Sequence, residues 1–122
     1  MKFHLQSPAS NLVTGSGPGW IRVGADEYRE NVVLGPEGVR TGWAPAGFDA
    51  LSADDFATLL ERKPEVVLLG TGARQQFPHP RLLAALTAAR VGVETMDTPA
   101  ACRTYNILVA EGRNVTAALI VG

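Results

Sequence analysis

Four consecutive large apolar residues, Val66-Val67-Leu68-Leu69, stand between Pro64-Glu65 and the turn Gly70-Thr71-Gly72. A run without polar alternation predicts a strand covered on both faces, the pattern of a mostly parallel sheet flanked by helices. Upstream the pattern differs. Phe3-His4-Leu5 predicts an edge strand closed by Ser7-Pro8, and Asn11-Leu12-Val13 leads into Thr14–Gly19, a stretch whose glycines predict a loop. Trp20–Val23 and Tyr28–Leu34 alternate apolar and polar residues, as half-buried antiparallel strands do. With the turn Gly35-Pro36-Glu37-Gly38 and a returning strand from Val39 to Trp43, the first third of the chain reads as a meander.

After Ala44-Pro45-Ala46-Gly47 the period becomes helical. Ser52 is a good N-cap with Asp55 at the capping-box position, Leu51 and Phe56 form a staple, and Phe56, Leu59 and Leu60 make a buried stripe ending at Lys63-Pro64. Beyond the central strand, Pro80 suits a first helical turn. That helix is expected to reach Arg90, with Leu82, Leu83 and Leu86 inward and Gly92 as its stop. Val93–Met96 predicts a second strand. Thr98 as N-cap with Pro99 at the first helical position predicts a helix to about Glu111 that buries Ala101, Tyr105 and Leu108, with Gly112 after it. Val115–Val121 predicts the last strand. Strand, helix, strand, helix, strand from Pro64 onward implies a right-handed first crossover between parallel strands. The expected fold is therefore α/β: a three-layer sandwich with a central mixed, mostly parallel sheet and a small additional N-terminal β-layer.

Composition adds bounds. A chain of 122 residues is read as a single domain spanning 1–122, large enough for a core without staples. Eleven Lys and Arg against twelve Asp and Glu leave a net charge of −1, which argues against a phosphate-tracking nucleic-acid binder. Cys102 is the lone cysteine, so no internal disulfide forms and a reducing compartment fits. The N-terminus carries no apolar signal region, and no stretch approaches the roughly 18 apolar residues of a spanning helix. The expectation is a cytoplasmic protein that is not membrane-embedded.

Candidate chemistry gathers at the strand ends. If the two strands are parallel neighbours, Gly70, Thr71 and Gly72 lie close to Asp97 and Thr98, in the crevice where such sheets bind ligands. A helix starting at Thr98 would aim free N–H groups there, and Arg74 and Arg103 would add positive charge, making an anion site. The competing reading is a tight turn with solvated arginines. No dinucleotide fingerprint is present, because Gln75 stands where the third glycine would be. Cys102, near a helix start and beside Arg103, is either an activated thiolate or a small packed hydrophobe. His4 and His79 lack metal-ligand partners at useful spacing, so no metal site is expected. Asp97 and Glu94 fall on opposite faces of a strand and do not make an acid–base pair. Gly15-Ser16-Gly17 does not have the spacing of a nucleophile elbow. Trp20 and Trp43 are read as core or sheet cover, with a partner surface as the alternative if they are exposed.

Leu69-Gly70-Thr71-Gly72, then Met96-Asp97-Thr98, Ala100-Ala101-Cys102-Arg103-Thr104-Tyr105-Asn106 and Glu111-Gly112-Arg113 together carry a resemblance. In order and spacing the chain resembles the DUF-498 domain family, which includes a mitochondrial assembly factor for respiratory complex I. The resemblance implies a three-layer α/β fold with a small extra β-layer, action through protein partners such as respiratory complex subunits, and no cofactor. With no complete catalytic constellation, the favoured expectation is a non-enzymatic accessory protein without catalytic residues. The alternative is a small anionic-ligand-binding protein or enzyme using Gly70, Thr71, Gly72, Arg74, Asp97, Thr98, Cys102 and Arg103.

Overall fold

The computed structural model describes residues 11–122. The expected strand Phe3-His4-Leu5 lies outside the described residues. Strands β1 (Val13–Gly17), β2 (Trp20–Val23) and β3 (Asp26–Tyr28) form an antiparallel sheet in chain order. Strands β4 (Val32–Gly35), β5 (Gly38–Thr41), β6 (Val66–Thr71), β7 (Gly92–Met96) and β8 (Val115–Ile120) form a second sheet in the order β5-β4-β8-β6-β7. Helices α1 (Ala53–Ala57), α2 (Ala84–Ala88) and α3 (Thr98–Ala110) complete the fold.

The five-stranded sheet is mixed. β6 pairs in parallel with both β8 and β7, whereas β4 pairs antiparallel with β8 and β5, so in place of the expected mostly parallel pairing there are two parallel and two antiparallel pairings. β8, wholly buried, takes the middle position, because β4 and β5 add to its far side. Alternation along the strands then divides the core. Val32, Leu34, Leu68, Ala117 and Leu119 pack on α3 and on Ile21 and Val23 of the small sheet. Val33, Val67, Leu69, Ala118 and Ile120 pack on Trp43, Phe56, Leu59 and Leu86. The apolar run in β6 is thus explained: both its faces are covered.

The expected single meander is two structures. Tyr28–Leu34 does not form one strand; the chain leaves the first sheet after Tyr28 and enters the second at Val32. Buried Asn31 supports this crossing. Its Nδ2 donates to Ala44 O (2.8 Å) and its Oδ1 accepts the Val121 N–H (2.9 Å), supplying bonds that a sheet ladder would otherwise make. Thr14–Gly19 is also a correction, since most of it is strand. Gly17 pairs with Trp20 and Gly15 with Arg22. A Cβ at Gly15 would stand 2.6 Å from the Arg22 guanidinium, and one at Gly17 would collide with the Trp20 indole. The glycines admit large cross-strand side chains, which then cover the thin strand. Trp20 is accordingly half-buried sheet cover, stacked by Arg22 at 5.7 Å, and Trp43 is core, edge-on to Phe56 at 5.9 Å.

Helix boundaries shift as well. Ser52 and Asp55 make the reciprocal capping box, but α1 tightens into a 3-10 segment at Thr58–Arg62 before Lys63 turns left-handed (φ 50°). The segment after Pro80 is 3-10 through Leu83, then α2. It stops at Arg90 (φ 61°) and not at Gly92, which opens β7. Val91 N bonds to Leu86 O and Arg90 N to Thr87 O, the pairing that ends a helix through a left-handed residue.

Candidate functional site

Parallel pairing of β6 with β7 and β8 brings Gly70, Thr71 and Gly72 against Met96, Asp97 and Ile120 at one sheet edge. Helix α3 begins there. Its N-cap is Asp97, whose carboxylate accepts the Ala100 N–H (2.8 Å); Thr98 and Pro99 are the first two helical residues, so the helix starts one position earlier than the sequence suggested. The reason lies in Thr98. Its hydroxyl donates to Ile120 O (2.5 Å) and accepts the Gly72 N–H (2.8 Å), while the Thr98 N–H reaches Gly72 O (2.9 Å). One buried side chain thus ties the ends of β6 and β8 to α3.

Gly70 lies under this junction. A Cβ there would fall 2.9 Å from Thr98 Oγ1 and 3.1 Å from Thr98 Cα, so the glycine is what lets the helix start rest on the strand. Gly72 bends away with φ 96°. Thr71 Oγ1 donates to Arg74 O (2.7 Å) and accepts the Gln76 N–H (3.1 Å), which shapes the following loop.

These bonds change the expected chemistry. Of the first four positions of α3, Thr98, Ala100 and Ala101 spend their N–H groups on Gly72 O and on the Asp97 carboxylate and carbonyl, and Pro99 has none. The anticipated free donors are used within the fold. A crevice of about 260 Å³ does open beside them, between the β1–β2 turn (residues 16–19), Gly72-Ala73, Thr98-Pro99 and residues 120–122. Among the described residues, no charged side chain lines it. Arg74 is exposed outside it, and Arg103 borders a separate depression of about 230 Å³ with Cys102 and Asn106. The eight candidate residues therefore do not form one site. Gly70, Thr71, Gly72, Asp97 and Thr98 converge, whereas Arg74, Cys102 and Arg103 stand apart.

Cys102 is 4% exposed in the core beneath α3, and burial pushes its thiol up to about 11, against a smaller opposing pull from Arg103. It is protonated at neutral pH, which favours the packed-hydrophobe reading over a thiolate. Among the described residues no three His, Cys, Asp or Glu side chains converge as metal ligands. No described helix is long and apolar enough to cross a membrane.

Two residues escaped the sequence reading. Asn106 faces β1 and pairs with Val13 through both groups, accepting its N–H (2.9 Å) and donating to its O (2.8 Å). An amide inside a helix that favours it little was the available signal. Phe77 is 73% exposed on the loop after β6.

The family described as "Protein of unknown function (DUF498/DUF598)" matches residues 13–120. The chain belongs to this family. A crystal structure of a Bordetella parapertussis protein superposes with a TM-score of 0.86 at 41% identity, covering 93% of this chain and 98% of that one. An NMR structure of a Xanthomonas campestris protein gives a TM-score of 0.84 at 33% identity, covering 100% and 93%. Among curated relatives, the mouse protein named NADH dehydrogenase [ubiquinone] 1 alpha subcomplex assembly factor 3 is 38% identical over 80 residues, 64% of this chain and 43% of its own length. The chain spans about half the length of such relatives.

Proposed function

We propose that this family member is a non-enzymatic, cytoplasmic accessory protein that binds protein partners during assembly of a respiratory complex, with complex I subunits the specific case. The observation that carries the reading is the 38% identity, over 80 residues, to a protein named as an assembly factor. The geometry at the family-motif residues supports it. Thr71, Asp97 and Thr98 spend their side-chain polar groups within the fold, on Arg74 O, the Ala100 N–H, the Gly72 N–H and Ile120 O, the use expected of a structural junction in an interaction domain. Deleting the gene in the native cells is expected to lower assembled complex I at least severalfold, read on native gels with an in-gel NADH oxidation stain. Restoration by the wild-type gene completes the test, and undiminished complex I in the deletion strain removes the reading.

A second reading rests on the crevice, whose volume of about 260 Å³ suits a small ligand at the carboxyl ends of β6 and β8. In this reading Gly72 and Thr98 contact the ligand. Amide resonances of Gly72, Ala73, Thr98 and Gly122 should then move in a small-molecule panel. A broad panel that leaves all of them in place ends it.

A further inference from the structure

The loop from Ala73 to His79 presents its aromatic residue outward although both flanks are anchored. On one side, Gln75 Nε2 donates to Thr95 O (2.8 Å) and the Gln76 N–H donates to Thr71 Oγ1 (3.1 Å). On the other, Pro78 is buried and His79 Nδ1 accepts the Arg81 N–H (3.1 Å) at the start of the next helical turn. Phe77 between them is the most exposed large hydrophobic side chain of the described residues. A lone apolar residue on a loose loop means little. One held out at 73% exposure on a pinned loop has already lost the chain freedom that binding would otherwise remove.

Charge along this segment has one sign. From Val66 to Val93 the sequence carries Arg74, Arg81 and Arg90, with His79, and no Asp or Glu. Arg74, His79 and Arg81 flank Phe77 and are exposed, and among the described residues none of the three is in an ion pair. The closest acids along the chain are Glu65, which holds Arg113 and Asn114, and Glu94 on β7. On α1, which packs against the Pro80–Leu83 turn, Asp55 is committed to its capping box and Asp54 is exposed.

We propose that Phe77, with Arg74 and Arg81, is the docking point for an acidic segment of a partner protein, the aromatic ring entering an apolar pocket of the partner while the two guanidinium groups pair with carboxylates beside it. This rests on the protein-binding reading above and names its surface. Aromatic and arginine side chains are the ones that dominate interface energetics, and flanking charge steers and orients the encounter. A protein occupant is favoured over an anionic membrane because surface binding to lipid needs an extended apolar helix face, and here one ring projects from a short loop.

The test starts with a random-peptide display selection against the folded full chain, followed by titration of the selected peptides. Expected are sequences combining Asp or Glu with an apolar residue, which shift resonances from Arg74 to Arg81. Phe77→Ala should weaken them by about thirtyfold, as a hot-spot aromatic does. The double change Arg74→Glu, Arg81→Glu should weaken them by about tenfold or more, with the loss shrinking at high salt. Thermal unfolding of each variant should match the parent, since the substituted side chains are exposed. Peptides that bind Phe77→Ala equally well, or that map elsewhere, overturn this surface while leaving protein binding intact. Loss of self-association in Phe77→Ala by sedimentation, or Phe77-dependent binding to phosphatidylglycerol vesicles, overturns the acidic partner in favour of a second copy or a lipid surface. Full rescue of complex I by Phe77→Ala in a deletion strain that lacks it overturns the surface alone; a deletion strain with normal complex I overturns the function as well.

Discussion

At Thr98 the hydroxyl accepts one backbone N–H and donates to one carbonyl, both buried, and these two bonds decide what the neighbouring glycines are for. The Gly-Thr-Gly turn was legible as a strand end, but its meaning was not, because the partner that crowds Gly70 comes from a residue 28 positions on. Cys102 is a similar case. Its position near a helix start and beside Arg103 invited a thiolate, but desolvation is the larger effect and raises the pKa. A thiol of about 11 in the folded chain, against an ordinary value of 9.0, binds its proton more tightly when folded. Its contribution to stability is therefore complete below the unfolded pKa and is lost as pH rises through the folded one. Denaturation by urea at stepped alkaline pH should show this as a loss on the order of 2 kcal/mol, reduced in Cys102→Ala. Tyr105, pushed up by burial to about 12, adds to the decline only at higher pH. Rapid labelling of the native thiol at neutral pH, or an identical alkaline slope in Cys102→Ala, would contradict the assignment.

Between elements, side-chain amides do work that the sequence pattern does not reveal. Asn106 gives β1 the two bonds of a strand neighbour, although it sits on a helix, and so fastens the small sheet to α3. Asn106→Ala should leave α3 intact, alanine being the better helix former, while costing about 1–2 kcal/mol. Hydrogen exchange should then quicken in β1–β3 and stay slow in β6 and β8. Unchanged protection in β1–β3 would mean that Ile21 and Val23 hold the sheet by packing alone. The strands that the sequence pattern found, β2, β5, β6, β7 and β8, are those whose side chains are themselves the signal. β1 was missed because its apolar cover is supplied by Trp20 and Arg22 across the pair, where its own glycines show nothing. The cap of α3 was displaced by one residue because Asp97 and Thr98 are both good caps locally, and the tertiary demand on the Thr98 hydroxyl settles which one serves.

Across the molecule, the proposed partner surface and the crevice occupy different parts of the chain, Phe77 on its pinned loop and the crevice beside Gly72 and Thr98. The function and its surface can therefore fail separately under experiment. From the sequence alone came the α/β class, the doubly covered β6, the parallel β6–β7 unit, the helix after Asp97 and the family, since each is carried by local periodicity, capping chemistry or motif order. Only the tertiary structure decided that β4 joins β8 antiparallel with β5 beyond it, that β8 lies in the middle, that the motif glycines serve a helix–strand contact, and that neither candidate arginine lines the crevice. Those outcomes depend on which segments meet across distant positions, and pairing energy between remote strands leaves no periodic trace in the residues that make it.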